Sequence, residues 1–246
     1  MRRLDWQIVL GLTLIAVSVL FYLVHYAFFR DAHHIFIFLL GDVAFVFIEV
    51  LLVTLIIHRV LAEREKRSML EKLNMIIGAF YSEVGSPLLA YFSDFDPRLE
   101  QIRNDLVITA QWCEEDFSKI SRRLKSYKYG LDIHKVDLET LRDLLGIKRD
   151  FLLRLLENPN LLEHESFTGL LMAVFHLMQE LVNREDLTEL PETDKAHLVA
   201  DMERAYSLLV YEWLNYMRHL ESNYPYLFSL AMRTNPFDKS ASPVVR

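Results

Sequence analysis

Two apolar runs dominate the start of the chain, Trp6 to Phe29 and His34 to His58. Each is longer than the roughly 20 residues a helix needs to cross a bilayer. Only the four residues Arg30-Asp31-Ala32-His33 separate them, so together they read as a transmembrane hairpin. The first run is too long for a signal-peptide core and lacks a small-x-small exit. Beyond His58 the pattern changes character without a helix breaker. A charged collar (Arg59, Arg64, Lys66, Arg67) gives way to Leu70, Leu73, Ile77, Phe80 and Val84 at alternating three- and four-residue spacing. That is an a/d seam of about two heptads. Nothing interrupts the helical pattern before Gly85-Ser86-Pro87, which predicts one helix from His34 to Val84. The seam suits either a coiled-coil contact between chains or packing of this helix on its own domain.

The remaining pattern is helical throughout. Asp96-Pro97 opens a predicted helix to about Tyr127, with Ile102, Leu106, Ala110, Cys113, Phe117, Ile120 and Leu124 on one face. Asp137 is the N-cap of the next, which runs to Asn158-Pro159 and turns Leu138, Leu141, Leu144, Leu145, Phe151, Leu152 and Leu155 inward. Asn160 with Glu163 reads as a capping pair for a helix that is apolar all round between Leu170 and Leu181, the signature of a bundle centre. After Leu190-Pro191 a long helix from about Thr193 to Asn223 buries Leu198, Ala205, Leu208, Leu209, Trp213, Tyr216 and Leu220. Tyr224-Pro225 breaks it before a short last piece. Strand alternation and internal repeats are missing. The predicted fold is all-α, a transmembrane helical hairpin continuing into a cytosolic helical bundle. Its parts are the hairpin at 1–60, a juxtamembrane helix at 61–84, the helical domain at 85–237 and a disordered tail at 238–246.

Charge fixes the orientation. Met1-Arg2-Arg3 precedes the first run and the basic collar follows the second, which places the N-terminus and the helical domain in the cytoplasm, with an inner membrane as the site. The single cysteine, Cys113, cannot form an internal disulfide and reads as an inert core thiol. A net charge of −7 argues against a nucleic-acid partner.

Candidate chemistry lies in two places. Asp42 and Glu49 sit inside the second apolar run, seven residues apart on one helix face. Gly11, Ser18, Tyr22 and His25 form a stripe about 60° wide on the first. Acids at membrane depth are protonated, paired or functional. Either they hold the hairpin or an oligomer together by hydrogen bonds, or they form a proton or cation path with Tyr22 and His25. The second place is a set of histidine and acid pairs at i, i+4: His176 with Glu180, and His197 with Asp201. Facing helices can build metal sites from such pairs. The Glu-x-x-His pairs of carboxylate-bridged di-iron bundles are missing, however. His176 is expected to be a core histidine with a local partner, His197 and His219 to be solvated, and no metal or other cofactor is expected. The basic run Arg122 to Lys128 reads as a solvated helix end able to touch anionic headgroups. Phosphate-loop, dinucleotide, nucleophile-elbow and zinc-protease motifs are missing.

The stretches HHIFIFLLGDVAFVFIEVLLVTLIIHR, EKLNMIIGAFYSEVG, HESFTGLLMAVFHLMQEL and YPYLFSLAMRTNPF resemble a family of uncharacterised prokaryotic membrane proteins with two spans. The resemblance implies the same hairpin and cytosolic helical domain, and brings no activity or site. The expected function is non-enzymatic, a membrane-anchored sensing, adaptor or scaffold protein. It would contact lipid, form homo-oligomers and engage a cytosolic protein. The alternative is an oligomeric ion channel or proton-coupled transporter using the intramembrane acids.

Overall fold

The computed structural model describes residues 6–162 and 164–245. They form helices and turns, with no strand among the described residues. Met1-Arg2-Arg3 lies outside them, as does Glu163 of the predicted Asn160–Glu163 capping pair. The chain divides into two compact units, 1–66 and 67–246.

The first unit holds α1 (Trp6–Phe29) and the start of α2 (Ala32–Phe80). Both are long and apolar enough to cross a membrane, and no residue of either apolar window is buried within the chain. The turn between them is tighter than the sequence suggests. Asp31 accepts the His34 backbone N–H at 3.1 Å and caps α2, so the helix starts at Ala32. Arg30 takes a left-handed φ of 48° to reverse the chain.

In the second unit, α2 ends among buried residues. Leu73, Ile77, Phe80 and Val84 are each at most 4% exposed and belong to the core of their own chain. This corrects the oligomer-seam reading for these four positions, because residues sealed by their own domain cannot face another chain. The Leu70 side chain lies outside the description. Nor does Gly85-Ser86-Pro87 end the helix. One π-helical turn, Tyr81–Gly85, leads straight into α3 (Ser86–Phe95). Pro87 lies in the first turn of α3, where its missing N–H is harmless. The wider turn lets the buried Tyr81 hydroxyl donate to the Leu209 carbonyl at 2.9 Å and its ring stack on Tyr216. Gly85 is required here, since a Cβ would come 2.5 Å from Tyr81 Cδ1.

The predicted helix from Asp96 to Tyr127 is broken. A 3-10 turn (Leu99–Gln101) and α4 (Arg103–Leu106) precede an irregular segment, and α5 (Glu114–Ser126) then carries Phe117, Ile120 and Leu124 inward. Cys113 is the exposed N-cap of α5, not a core thiol. The Asp116 carboxylate accepts its backbone N–H at 3.0 Å, a capping arrangement that defines a helix start and so ends any continuous helix through that point. Asp137 caps α6 (Leu138–Ile147) through the Glu139 and Thr140 N–H groups, as expected. A break at Lys148 separates α6 from α7 (Arg149–Leu156). After α8 (Pro159–Leu162), His164 caps α9 (Glu165–Val182).

The centre of the second unit is α9. It buries Phe167, Leu170, Leu171, Val174, Leu177, Met178 and Leu181, and packs against α6, α7, α8 and α10 (Glu192–Asn223). After α10, the Tyr224-Pro225 break leads into α11 (Pro225–Arg233). The segment after Asp238, expected to be disordered, is held to the domain at two points, where Lys239 pairs with Glu100 at 2.9 Å and Arg233 donates to the Pro243 carbonyl, while Val244 and Val245 are exposed.

Candidate functional site

Two helix geometries and one packing contact build the most chemically loaded cluster. Residues four apart on a helix share a face, so His176 and Glu180 stand together near the end of α9, and His197 and Asp201 near the start of α10. These are neighbouring helices joined by residues 183–191, and the two pairs meet across the seam. His176 Nε2 lies 3.3 Å from Asp201 Oδ2 and 3.7 Å from Glu180 Oε1. His197 Nε2 lies 3.4 Å from the same Asp201 Oδ2 and 3.7 Å from Glu180 Oε2. All four residues singled out from the sequence therefore converge.

Their surroundings are uneven. Asp201 is buried, at 3% exposure, and its Oδ2 accepts no hydrogen bond. The imidazoles of His176 and His197 are 44% and 51% exposed. His176 is thus not a core histidine. The α9 register turns it to the seam edge, beside the buried Val174 and Leu177. Each carboxylate is also held from outside the cluster. Arg204 lies 3.2 Å from Asp201 Oδ1. Arg184 donates to Glu180 Oε2 at 2.7 Å and grips Asp194 with two bonds of 2.7 and 2.8 Å. The hydrogen bond from Arg184, followed by its charge, holds the Glu180 carboxyl below the usual carboxylate range, and the same bond does so for Asp194. The arrangement sets two imidazole nitrogens against one buried carboxylate oxygen, with Glu180 beside them and both imidazoles half-exposed to solvent. The arginines that grip these acids carried no signal in the sequence pattern; Arg184 and Arg204 stand four and three residues beyond the two acids.

His219 is not part of this cluster and is not solvated. It is half-buried, its Nδ1 lies 3.2 Å from the side-chain amides of Asn74 and Asn223, and burial holds its pKa below the ordinary imidazole value.

Within the first unit, Ser18, Tyr22, His25 and Asp42 line one open cavity of about 760 Å³, together with Phe38 and His34. Glu49 does not line it. The pattern had missed His34, whose ring stacks on His25 at 6.0 Å. In the basic run, Arg123 is tied to its own chain by Asp105 and the Gln101 carbonyl, while Arg122, Lys125 and Lys128 are exposed.

These features define the class: an all-α protein in which two apolar helices precede a helical domain carrying a histidine–carboxylate cluster. Residues 69–233 match the family described as "Uncharacterized protein MJ1433, C-terminal helical domain", and residues 2–61 match "MJ1433, N-terminal helical domain". The chain belongs to the MJ1433 family. It is 47% identical over 236 residues to "Uncharacterized protein MJ1433" of Methanocaldococcus jannaschii, a similarity spanning 96% of this chain and 95% of that protein. No solved structure matches it.

Proposed function

We propose that this protein is a membrane-anchored, non-enzymatic sensing and adaptor protein. Its hairpin sits in the cell membrane, both ends face the cytoplasm, and its helical domain meets a cytosolic partner. The observation that carries the reading is α2. One helix holds an apolar segment buried nowhere in its own chain and then contributes Leu73, Ile77 and Phe80 to a domain core. Apolar surface of that extent needs a nonaqueous environment. A change felt by the hairpin would reach the domain through the helix they share.

Cys113 supplies the test, being the chain's single cysteine and exposed. The protein should fractionate with membranes and resist carbonate extraction. A membrane-impermeant maleimide should label Cys113 in inverted vesicles and not in intact cells. Recovery in the soluble fraction, or labelling from outside, refutes the anchoring and orientation. Coupling is tested separately by inserting Gly-Pro beside Arg64, and an unchanged partner-binding profile would refute it.

A second reading, an oligomeric channel or proton-coupled transporter, has its own support in the cavity shared by Tyr22, His25, His34 and Asp42. It requires cation or proton flux in proteoliposomes that Asp42→Asn abolishes. Flux unchanged in that variant, or no flux at all, removes it.

A further inference from the structure

We infer that His176, Glu180, His197 and Asp201 form a binding site for a divalent transition-metal ion of the zinc class, one per chain. The inference does not depend on the membrane reading.

The spacing of the donor atoms carries the argument. Zinc bonds to imidazole nitrogen and carboxylate oxygen are about 2.0–2.2 Å long and almost always tetrahedral at four-ligand sites. The edge of a tetrahedron is about 1.63 times its centre-to-corner distance, so ligand atoms around such an ion stand roughly 3.3–3.6 Å apart. The four separations here are 3.3, 3.4, 3.7 and 3.7 Å. All exceed the roughly 2.7–3.2 Å of a nitrogen–oxygen hydrogen bond. The two imidazole nitrogens thus stand from Asp201 Oδ2 at the spacing of ligands around a shared ion, and Glu180, which meets them through its two different oxygens, lies just outside that range. The donor atoms of His176, Glu180 and His197 alone lie within 4.8 Å of one another.

Asp201 gives the independent observation. A carboxylate oxygen that is buried and accepts no hydrogen bond is costly to leave unsatisfied. Asp201 Oδ2 is in that condition, and both imidazole Nε2 atoms face it. A cation between them satisfies the oxygen and uses the nitrogen lone pairs at once. Two neutral imidazoles and two carboxylates balance a divalent ion, Arg184 and Asp194 neutralise each other, and the charge left over is that of Arg204, which is 60% exposed to solvent.

The donor set also narrows the metal. Imidazole nitrogen disfavours magnesium and calcium, and the lack of thiolate removes the softer sites, which leaves zinc, cobalt and their neighbours. Arg184 and Arg204 occupy the place of outer-shell groups that orient ligating carboxylates. The half-exposed imidazoles mark an exchangeable site, suited to sensing the ion.

The test uses the full-length protein in detergent, stripped by a chelator and titrated with Co²⁺, then with Zn²⁺ in competition. One Co²⁺ per chain should bind with the intense visible spectrum of a four-coordinate ion, and Zn²⁺ should bleach it. His197→Asn removes a half-exposed ring without opening the core and should weaken binding by roughly 100-fold or more. Arg204→Met should weaken it by roughly 10-fold with the spectrum retained. His134→Asn, at an exposed histidine outside the cluster, should change nothing. Unchanged stoichiometry and affinity in both His197→Asn and His176→Asn overturns the site. So does a weak six-coordinate spectrum, or loose binding equal in every variant. Should His176→Asn fail to fold, His197→Asn still decides.

Discussion

Replacing Arg184 by Met isolates what holds the α9–α10 corner together. The aliphatic stem survives, while the guanidinium that joins Glu180 to Asp194 is lost. Wild-type Arg184 makes three side-chain ion-pair bonds of 2.7–2.8 Å and also donates to the Glu180 backbone carbonyl. Its side chain is only 18% exposed, against 27% for Glu180 and 30% for Asp194. Exposed ion pairs contribute about 0.2–1 kcal/mol, and breaking a fully buried one costs about 3–5 kcal/mol. Water reaches both carboxylates once the arginine leaves, so the loss falls between these limits, at about 2 kcal/mol. For a domain of this size each kcal/mol moves the melting midpoint by about 2–4 °C. The expected drop is therefore about 4–8 °C, measured by circular dichroism on the full-length, chelator-treated protein at pH 7. The pH dependence has a definite sign. Arg184 depresses both carboxyl pKa values in the folded state, so its stabilisation is complete above the unfolded carboxylate pKa of about 4 and fades as pH falls below it. Between about pH 5 and pH 3 the wild type should lose stability more steeply than the variant. A midpoint change below about 1 °C at pH 7, or identical slopes in acid, would refute this account of the corner.

Two other substitutions probe how the sequence shapes the elements around the core. Gly85→Ala puts a Cβ 2.5 Å from the buried Tyr81 ring and should cost about 1–3 kcal/mol as an overpacking change, read as a lower denaturation midpoint; full wild-type stability would show that the π-helical turn relaxes freely. Asp137→Ala removes the acceptor of the Glu139 and Thr140 N–H groups and should cost about 1 kcal/mol, with Asp137→Asn recovering most of it; equal loss in both variants would mean that the charge, not the cap, matters.

Helix boundaries were legible where one residue type does one local job. Asp137 acts through its carboxylate on the two N–H groups just after it, Pro225 and Leu190-Pro191 act through their own backbone, and the structure follows them. Boundaries decided by tertiary packing were not. The pattern at Gly85-Ser86-Pro87 looks like a stop, yet the chain stays helical because Pro87 falls in a first turn and Gly85 makes room for Tyr81. In the other direction, Ile102 through Leu124 keep a helical period across a segment where the chain leaves the helix, because Cys113 and Asp116 begin a new one. Ile102 and Leu106 before that break and Phe117, Ile120 and Leu124 after it are buried in the same core, while Ala110 and Cys113, in register between them, are exposed.

The same limit governs the two functional sets. Leu73, Ile77, Phe80 and Val84 display a seam whose spacing is identical for a coiled coil and for a helix sunk in its own domain. Only burial by neighbours distant in sequence separates them: Phe80 packs edge-on to Phe167, eighty-seven positions away. For the histidines and acids the sequence reveals each i, i+4 pair, because that geometry belongs to a single helix. It cannot reveal that α9 and α10 set the pairs at the same level, nor that Asp201 sinks to 3% exposure while its histidine neighbours remain half in water. That difference turns two ordinary surface pairs into one candidate site. Arg204 answers one oxygen of the buried Asp201 carboxylate, and the other, which accepts no hydrogen bond, faces the two half-exposed imidazole nitrogens, so any cation that serves it must come to that face.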